Sequence, residues 1–214
     1  MKWMLIRKVE EMGFQEREIK FYIQDLPAVE QRLRVCGADL VRVRTLERNL
    51  RLDTPEGELQ KADCLLRIRE DDRVRVTYKD SARVEDGVIA RTEIEVTCDD
   101  FSITRKLFEA LGYRVVVMYE KYRTEYRIGD ASVVLDEMPF GDFLEIEAPN
   151  NALIEGVVQM LGLDWSAGIG TNYLGLFETI KAKLSLQFND LSFENFAEIE
   201  VKPGDLSVHP ADQY

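Results

Sequence analysis

The sequence predicts an α+β fold: an antiparallel sheet of about eight strands, rolled into a barrel or tunnel, with helices packed outside it. Three observations carry that reading. Charged and apolar residues alternate with period two in many stretches, as in Glu16-Arg17-Glu18-Ile19-Lys20 and Leu144-Glu145-Ile146-Glu147. Successive strand-like runs are separated by short turn signals, among them Asp71-Asp72 and Glu85-Asp86-Gly87, which suit antiparallel hairpins. Helical periodicity is confined to a few stretches and does not follow every strand, so a βαβ arrangement is disfavoured.

In chain order, residues 14–22 alternate as a strand. Leu26-Pro27 opens a helix with Val29, Leu33 and Cys36 on its apolar side, Leu40 as a further candidate, and Gly37 near its end. A strand over 41–52 is closed by the turn Asp53-Thr54-Pro55-Glu56-Gly57. Residues 64–70 and 73–79 form a hairpin, and 89–97 is a further strand. A helix spans 101–111, with Phe101, Leu107, Phe108 and Leu111 apolar and Gly112 as its stop. Strands follow at 114–128, 131–136 and 143–148, then helices at 152–161 and 173–183. This divides the chain into a leader at 1–13, a folded domain over 14–184, and a polar, acidic appendage at 185–214 to which the sequence assigns no role.

Composition narrows the chemistry. The 214 residues can bury a sizeable core, and 45% hydrophobic with 32% charged residues is globular. No apolar run could span a membrane, and the N-terminus lacks the long apolar centre of a signal peptide. Cys36, Cys64 and Cys98 are odd in number and widely spaced, as expected of reduced thiols in a cytoplasmic protein. A single histidine, His209, leaves imidazole-based catalysis and His-rich metal sites poorly supplied, so any metal should be a hard cation on carboxylates. A net charge of −12 disfavours unaided binding to nucleic acid or anionic membrane, while leaving room for a small anionic ligand.

Alternation also sorts the charges by strand. Arg67 and Arg69 share a face, as do Arg75, Thr77 and Lys79, and Lys121 and Arg123. Arg91, Glu93 and Glu95 share another, and so do Glu145 and Glu147. One such strand is ordinarily the solvent side of a sheet. Here the strands segregate into basic and acidic ones, and the helices need an apolar surface to cover. The apolar strand faces should therefore point outward and the charged faces into a lumen. Buried charges on that scale need partners, and a basic wall facing an acidic wall fits a polyanion bridged by divalent cations, phosphate chains above all.

The ordered set of segments resembles the CYTH superfamily of triphosphate tunnel metalloenzymes, which includes class IV adenylyl cyclases, thiamine triphosphatases and inorganic triphosphatases. The segments are Glu16-x-Glu18-x-Lys20, "LDTPEGEL", "LRIR", "TYK", "RTEIE", "EKYR", "VLDEMPFGDFLEIE" and "TNYLGLF". The resemblance implies an eight-stranded antiparallel tunnel over 14–184 that binds a triphosphate with Mg²⁺ or Mn²⁺. Carried over by position, it gives Glu16, Glu18, Glu145 and Glu147 to a metal, and Glu93, Glu95 and Asp136 to a second metal or to water activation. Lys20, Arg67, Arg69, Lys79, Lys121 and Arg123 would grip phosphate oxygens, with Arg75 and Arg91 facing the lumen in a lesser role. A homodimer is compatible with the resemblance. The segment Thr45–Asp53, with Glu47, Arg48 and Asn49, is where subfamilies are expected to vary, and it assigns no substrate.

The activity expected on these grounds is hydrolysis of a linear triphosphate, inorganic or organic. Adenylyl cyclase chemistry on ATP is the alternative, although no base-recognition signature is legible. A non-catalytic receptor for polyphosphate or nucleotide is a second alternative, disfavoured because a pure anion receptor gains little from two acidic clusters. A second copy of the opening pattern, Glu198-Ile199-Glu200-Val201-Lys202, lacks the downstream segments and is expected to be a solvated strand or an approach to a turn at Pro203-Gly204.

Overall fold

The computed structural model describes residues 17–81, 83–85, 88–90 and 93–213, with side chains for all of these except 83–85, 88–90 and 93. The strands are β1 (Arg17–Ile23), β2 (Asp39–Asp53), β3 (Leu65–Glu70), β4 (Val74–Lys79), β5 (Arg83–Glu85), β6 (Val88–Ala90), β7 (Glu93–Cys98), β8 (Arg114–Ile128), β9 (Ala131–Met138) and β10 (Gly141–Ala148). The helices are α1 (Leu26–Val35), α2 (Glu58–Lys61), α3 (Phe101–Ala110), α4 (Asn151–Met160) and α5 (Tyr173–Leu184). Eight strands form one antiparallel sheet in the order β1-β10-β9-β8-β2-β3-β4-β7. Hydrogen bonds do not close this sheet among the described residues, and β1 and β7 are its edges. It curls about its charged face, so that Arg75 on β4 and Arg123 on β8 line one cavity.

Local chemistry sets the element ends. The Asp25 carboxylate accepts from the Ala28 N–H at 3.0 Å and caps α1, with Pro27 in the first turn. The helix stops where Gly37 takes φ +80° and the Ala38 N–H reaches back to the Leu33 carbonyl at 3.0 Å. Leu40 therefore falls in β2, half exposed, and not on the apolar side of α1. Gly141 starts β10 at φ +139°, and a Cβ there would stand 2.7 Å from the Tyr22 ring.

Two further expectations need correction. The single strand expected over 89–97 is divided, because Val88–Ala90 pairs with β5 while Glu93–Cys98 pairs with β4. Alternation reports exposure, not partner, and so does not register a change of sheet. On α3 the buried stripe runs through Phe101, Thr104 and Phe108, at helical spacing against the outer face of β3. Leu107 and Leu111 lie off that stripe and are mostly exposed.

Three apolar clusters hold the fold. On the outer face of β1 and β8–β10, Phe21, Ile23, Val133, Leu144 and Ile146 pack beneath α1 and α4. On the outer face of β2–β4, Leu50, Leu66, Ile68 and Val76 pack against α3. The third cluster is aromatic and takes the opposite face, since Tyr22 and Phe143 share parity with Lys20 and Glu145. It is covered by α5 and by residues 185–213, whose Leu191, Phe196 and Leu206 are buried there. Thus α1, α3 and α4 lie outside the sheet, whereas α5 and the C-terminal segment cover one end of its inner face.

The C-terminal segment also occupies free strand edges. Leu191 pairs with the part of β8 that β9 does not reach, its N–H to Met118 O at 2.8 Å and its carbonyl accepting from Glu120 N at 2.9 Å. At the edge of β1, the segment's Ala211 N donates to Tyr22 O at 3.0 Å, beside Ile169 N of the α4–α5 connection, which donates to Lys20 O at 2.8 Å. Occupied edges cannot template pairing with other chains. The second copy of the opening pattern forms no strand and leads into the short turn Pro203–Asp205.

Candidate functional site

Antiparallel register brings the charged residues together on the inner face. Glu18 stands opposite Glu147 and Lys20 opposite Glu145 on the β1–β10 pair. Arg123 lies opposite Asp136, Lys121 opposite Glu47, and Asn49 opposite Arg69. Arg69 then faces Arg75, Arg67 faces Thr77, and Lys79 faces Glu93 across β3, β4 and β7. Acidic residues thus mark both edges of the sheet, on β1 and β10 at one side and on β7 at the other. Basic residues dominate the strands between.

A continuous ion-pair network runs across the middle of this face. Lys20 Nζ contacts Glu145 Oε1 at 3.0 Å, and Arg123 Nη2 contacts Glu145 Oε2 at 3.0 Å. Asp136, fully buried, accepts from Arg123 Nε at 2.7 Å, Arg123 Nη2 at 2.5 Å, Lys121 Nζ at 3.0 Å and the Tyr173 hydroxyl at 2.8 Å. Lys121 Nζ also lies 3.8 Å from Glu47 Oε1, which takes Arg69 Nη2 at 3.3 Å and Asn49 Nδ2 at 2.9 Å. The Tyr173 ring completes the floor, with Lys20 Nζ 4.2 Å and Lys121 Nζ 5.3 Å from its centroid.

Protonation states follow from these contacts. Burial alone would raise the pKa of Glu47, but Lys121, Arg69 and Arg123 outweigh it and hold the carboxyl at about 2. Asp136 is likewise pushed up by burial and pulled further down by Arg123 and Lys121, ending well below the usual carboxylate range. Burial disfavours the Arg123 cation, yet Asp136 more than compensates and raises its pKa. Burial and then Asp136 push the Tyr173 phenol up, so it remains a proton donor. Glu47 and Asp136 are thus held as carboxylates at neutral pH, with the Arg123 cation between them stabilised in turn.

The β3–β4 wall is less completely paired. Arg67 Nη2 reaches Thr77 Oγ1 at 3.4 Å, and Thr77 donates to Glu95 Oε2 at 2.9 Å. Among the described residues, the buried Nε donors of Arg67 and Arg75 have no acceptor, and the buried Glu47 Oε2 has no donor. An unmatched buried polar atom costs about 1–3 kcal/mol. Beside Arg69 and Arg123 the lumen opens into a cavity of about 640 Å³, which Arg42, Arg73 and Arg75 also line.

The expected residues are placed as follows. Lys20, Lys121, Arg123, Asp136 and Glu145 meet in the network, and Arg69 joins it through Glu47. Arg67 and Lys79 lie on the adjoining wall. Glu95 is exposed on β7 and is not gathered with Asp136, whose two oxygens are already taken. Glu93 begins β7, its side chain outside the description, and Glu16 and Arg91 lie outside the described residues. Among the described residues no three acidic, His or Cys side chains converge at metal spacing. Glu18 and Glu147 are nevertheless adjacent on paired strands, carboxylates of a kind suited to a hard cation, while both oxygens of the neighbouring Glu145 are engaged by Lys20 and Arg123.

Glu47, Asn49 and Tyr173 belong to the site without having been assigned to it from sequence. Parity of Glu47 with Asn49 on β2 was a usable signal for the first two. For Tyr173 the "TNYLGLF" segment gave only its position at the start of a helix.

Residues 15–153 match the CYTH domain family model. A protein of Methanocaldococcus jannaschii that is provisionally named an adenylate cyclase is 30% identical over 134 residues, covering 62% of this chain and 75% of its own length. A solved structure from Vibrio parahaemolyticus, also provisionally named an adenylate cyclase, superposes with a TM-score of 0.64 at 18% identity, covering 76% of this chain and 97% of the other. A Hippeastrum protein provisionally named an adenylyl cyclase and described as having a dominant triphosphatase activity gives a TM-score of 0.56 at 19% identity, with 77% and 95% coverage. The inner-face network, the eight-stranded sheet and the model match agree: this chain belongs to the CYTH domain family.

Proposed function

We propose that this protein is a metal-dependent hydrolase of a linear triphosphate bound along the charged face. The observation that carries the reading is the convergence of Lys20, Lys121, Arg123 and Arg69 on one lumen, beside the buried unpartnered donors of Arg67 and Arg75. Carboxylates of the same face hold these cations in place, and their remaining donors would bind phosphate oxygens. Glu18, Glu145 and Glu147, with Glu16, would hold Mg²⁺ or Mn²⁺. When bound, that ion would supply charge neutralisation and a more acidic water. The protein's own groups position the chain and oppose its charge; neither a covalent nucleophile nor a histidine is needed. The sole histidine is surface-exposed, 3.8 Å from Asp164.

Cyclase chemistry on ATP is the second reading, favoured by the names carried by the M. jannaschii and Vibrio relatives. Against it, the described residues that line the lumen mouth are valines, a threonine and charged side chains, with no aromatic or amide group among them to read a base. The Hippeastrum description favours hydrolysis. The test is phosphate release by purified protein with Mg²⁺ or Mn²⁺ from tripolyphosphate, thiamine triphosphate and ATP separately, with cyclic AMP measured in the ATP reaction. Metal-dependent phosphate release without cyclic AMP is expected. Cyclic AMP as the main product would replace this reading with the second, and binding without turnover would make the protein a receptor.

A further inference from the structure

Arg69 and Arg123 are held in the same way but are not neutralised to the same extent. Arg123 offers its Nε–Nη2 edge to the Asp136 carboxylate, at 2.7 and 2.5 Å, and Nη2 reaches Glu145 as well. Arg69 offers the same edge to two different residues. Its Nε donates to Asn49 Oδ1 at 3.1 Å, and its Nη2 stands 3.3 Å from Glu47 Oε1. Asn49 is fully buried opposite Arg69, and its own Nδ2 donates to Glu47 Oε1 at 2.9 Å, closing a ring of contacts among Glu47, Asn49 and Arg69. An amide oxygen therefore stands at Arg69 where a carboxylate oxygen stands at Arg123. Among the described residues Glu47 is the only carboxylate within ion-pair distance of Arg69, and Lys121 Nζ shares it at 3.8 Å. Across the network Lys20, Lys121, Arg123 and Arg69 meet Glu145, Asp136 and Glu47, one carboxylate short, and the shortfall lies at Arg69. The pKa shifts agree. Burial lowers that of Arg69, Glu47 does not restore it and Arg67 adds to the fall, whereas at Arg123 burial is outweighed by Asp136.

We infer that Asn49 is a positioning residue of the triphosphate site, a neutral acceptor that orients Arg69 and leaves its charge for the ligand. This rests on the triphosphate reading above and adds to it a residue that acts through Arg69. With the Nε–Nη2 edge engaged, no protein acceptor among the described residues takes the Nη1 end of the guanidinium, and Arg69 lines the cavity. The paired donors of that end match two phosphate oxygens. A carboxylate at position 49 could hold the same edge, but it would neutralise the cation and oppose Glu47. An apolar residue would leave the buried Arg69 Nε without its acceptor and Glu47 without a donor. An amide supplies the acceptor for one and the donor for the other without adding charge.

The test exchanges two side chains. Asn49→Asp adds a negative charge at Arg69 with little change of shape. The double variant Glu47→Gln/Asn49→Asp moves the existing carboxylate to position 49 and the amide to position 47, which returns the local charge to that of wild type. Asn189→Asp, at an exposed asparagine of the C-terminal segment paired with Lys181, controls for net charge. Each protein is measured by metal-free calorimetry with tripolyphosphate and by steady-state kinetics with Mg²⁺, and melting temperatures confirm folding. Asn49→Asp is expected to weaken binding and raise KM about tenfold, the scale of one charge-assisted contact, with kcat changed less. The exchange should bring both back to within about threefold of wild type, a coupling that independent sites do not show. Asn189→Asp should leave them unchanged. A merely structural role for Asn49 predicts that the exchange is at least as damaging as the single substitution. Wild-type affinity in Asn49→Asp, an exchange as weak as Asn49→Asp, or an equal loss in Asn189→Asp would overturn the inference. Where Asn49→Asp does not fold, the exchange decides alone: near-wild-type affinity supports the inference and a tenfold loss, or about that, overturns it. Wild type that binds tripolyphosphate without turnover removes the hydrolase reading and leaves the inference to the calorimetry. Wild type that neither binds nor turns over tripolyphosphate removes both.

Discussion

Asp136 remains ionised without exposed surface because four hydrogen bonds from Arg123, Lys121 and Tyr173 converge on it. Removing one partner of a buried pair leaves a charge uncompensated, so Arg123→Ala should cost about 3 kcal/mol in urea unfolding. Arg123→Lys should recover only part, since an ammonium cannot bridge Asp136 and Glu145 as the guanidinium does. Tyr173 combines two roles that separate by substitution. Tyr173→Phe keeps the ring under Lys20 and Lys121 and loses the hydroxyl, whereas Tyr173→Leu loses both. Triphosphate KM should rise a fewfold in the first and about tenfold in the second, with kcat changed less. Equal kinetics in the two variants would contradict a role for the ring. Acid should act through Glu47: its pKa is 4.5 unfolded and about 2 folded, so its contribution is complete above pH 4.5 and is lost as pH falls towards 2. Asp136 acts in the same direction. Urea midpoints measured across that window should fall steeply for wild type and less steeply for Glu47→Gln.

Each element brings one part of the site, and the C-terminal elements bring more than their polar composition suggests. Phe196 packs against Phe140, Phe177 and Phe188 at centroid distances of 5.3–6.2 Å, so Phe196→Ala should cost about 3–5 kcal/mol in unfolding free energy. Because that cluster backs α5 and hence Tyr173, the same variant should also raise triphosphate KM. Sequence pattern made most strands legible, since a charged face opposite an apolar face forces period two. It also placed Lys20, Asp136, Lys121, Arg123 and Glu145 on faces that do meet. What it missed depends on partners distant in the chain. Glu47 gains its meaning from Arg69 and Lys121 on neighbouring strands. The inward reach of the Tyr173 phenol comes from how α5 lies over the sheet. In residues 185–213, scattered apolar residues such as Leu191, Phe196 and Leu206 have no period, yet they close an aromatic core.

At the scale of the whole molecule, an acidic chain builds a basic groove by sorting its charges onto strands. The inner face turns cations of five strands, β1–β4 and β8, towards one lumen. Such a field draws small polyanions in and weakens with salt, so triphosphate KM should rise with ionic strength while kcat changes little. Among the described residues no helix is long and apolar enough to cross a membrane. The cysteines Cys36, Cys64 and Cys98 are free thiols. On the proposed reading, Glu18 and Glu147 at the β1–β10 edge hold the metal. The most direct measurement is tripolyphosphate turnover against Mg²⁺ or Mn²⁺ concentration in wild type, Glu18→Gln and Glu147→Gln. The account predicts metal-dependent phosphate release by wild type and its loss in both variants, with melting temperatures and metal-free triphosphate binding little changed. Wild-type rates in both variants, or release that ignores the metal, would contradict it.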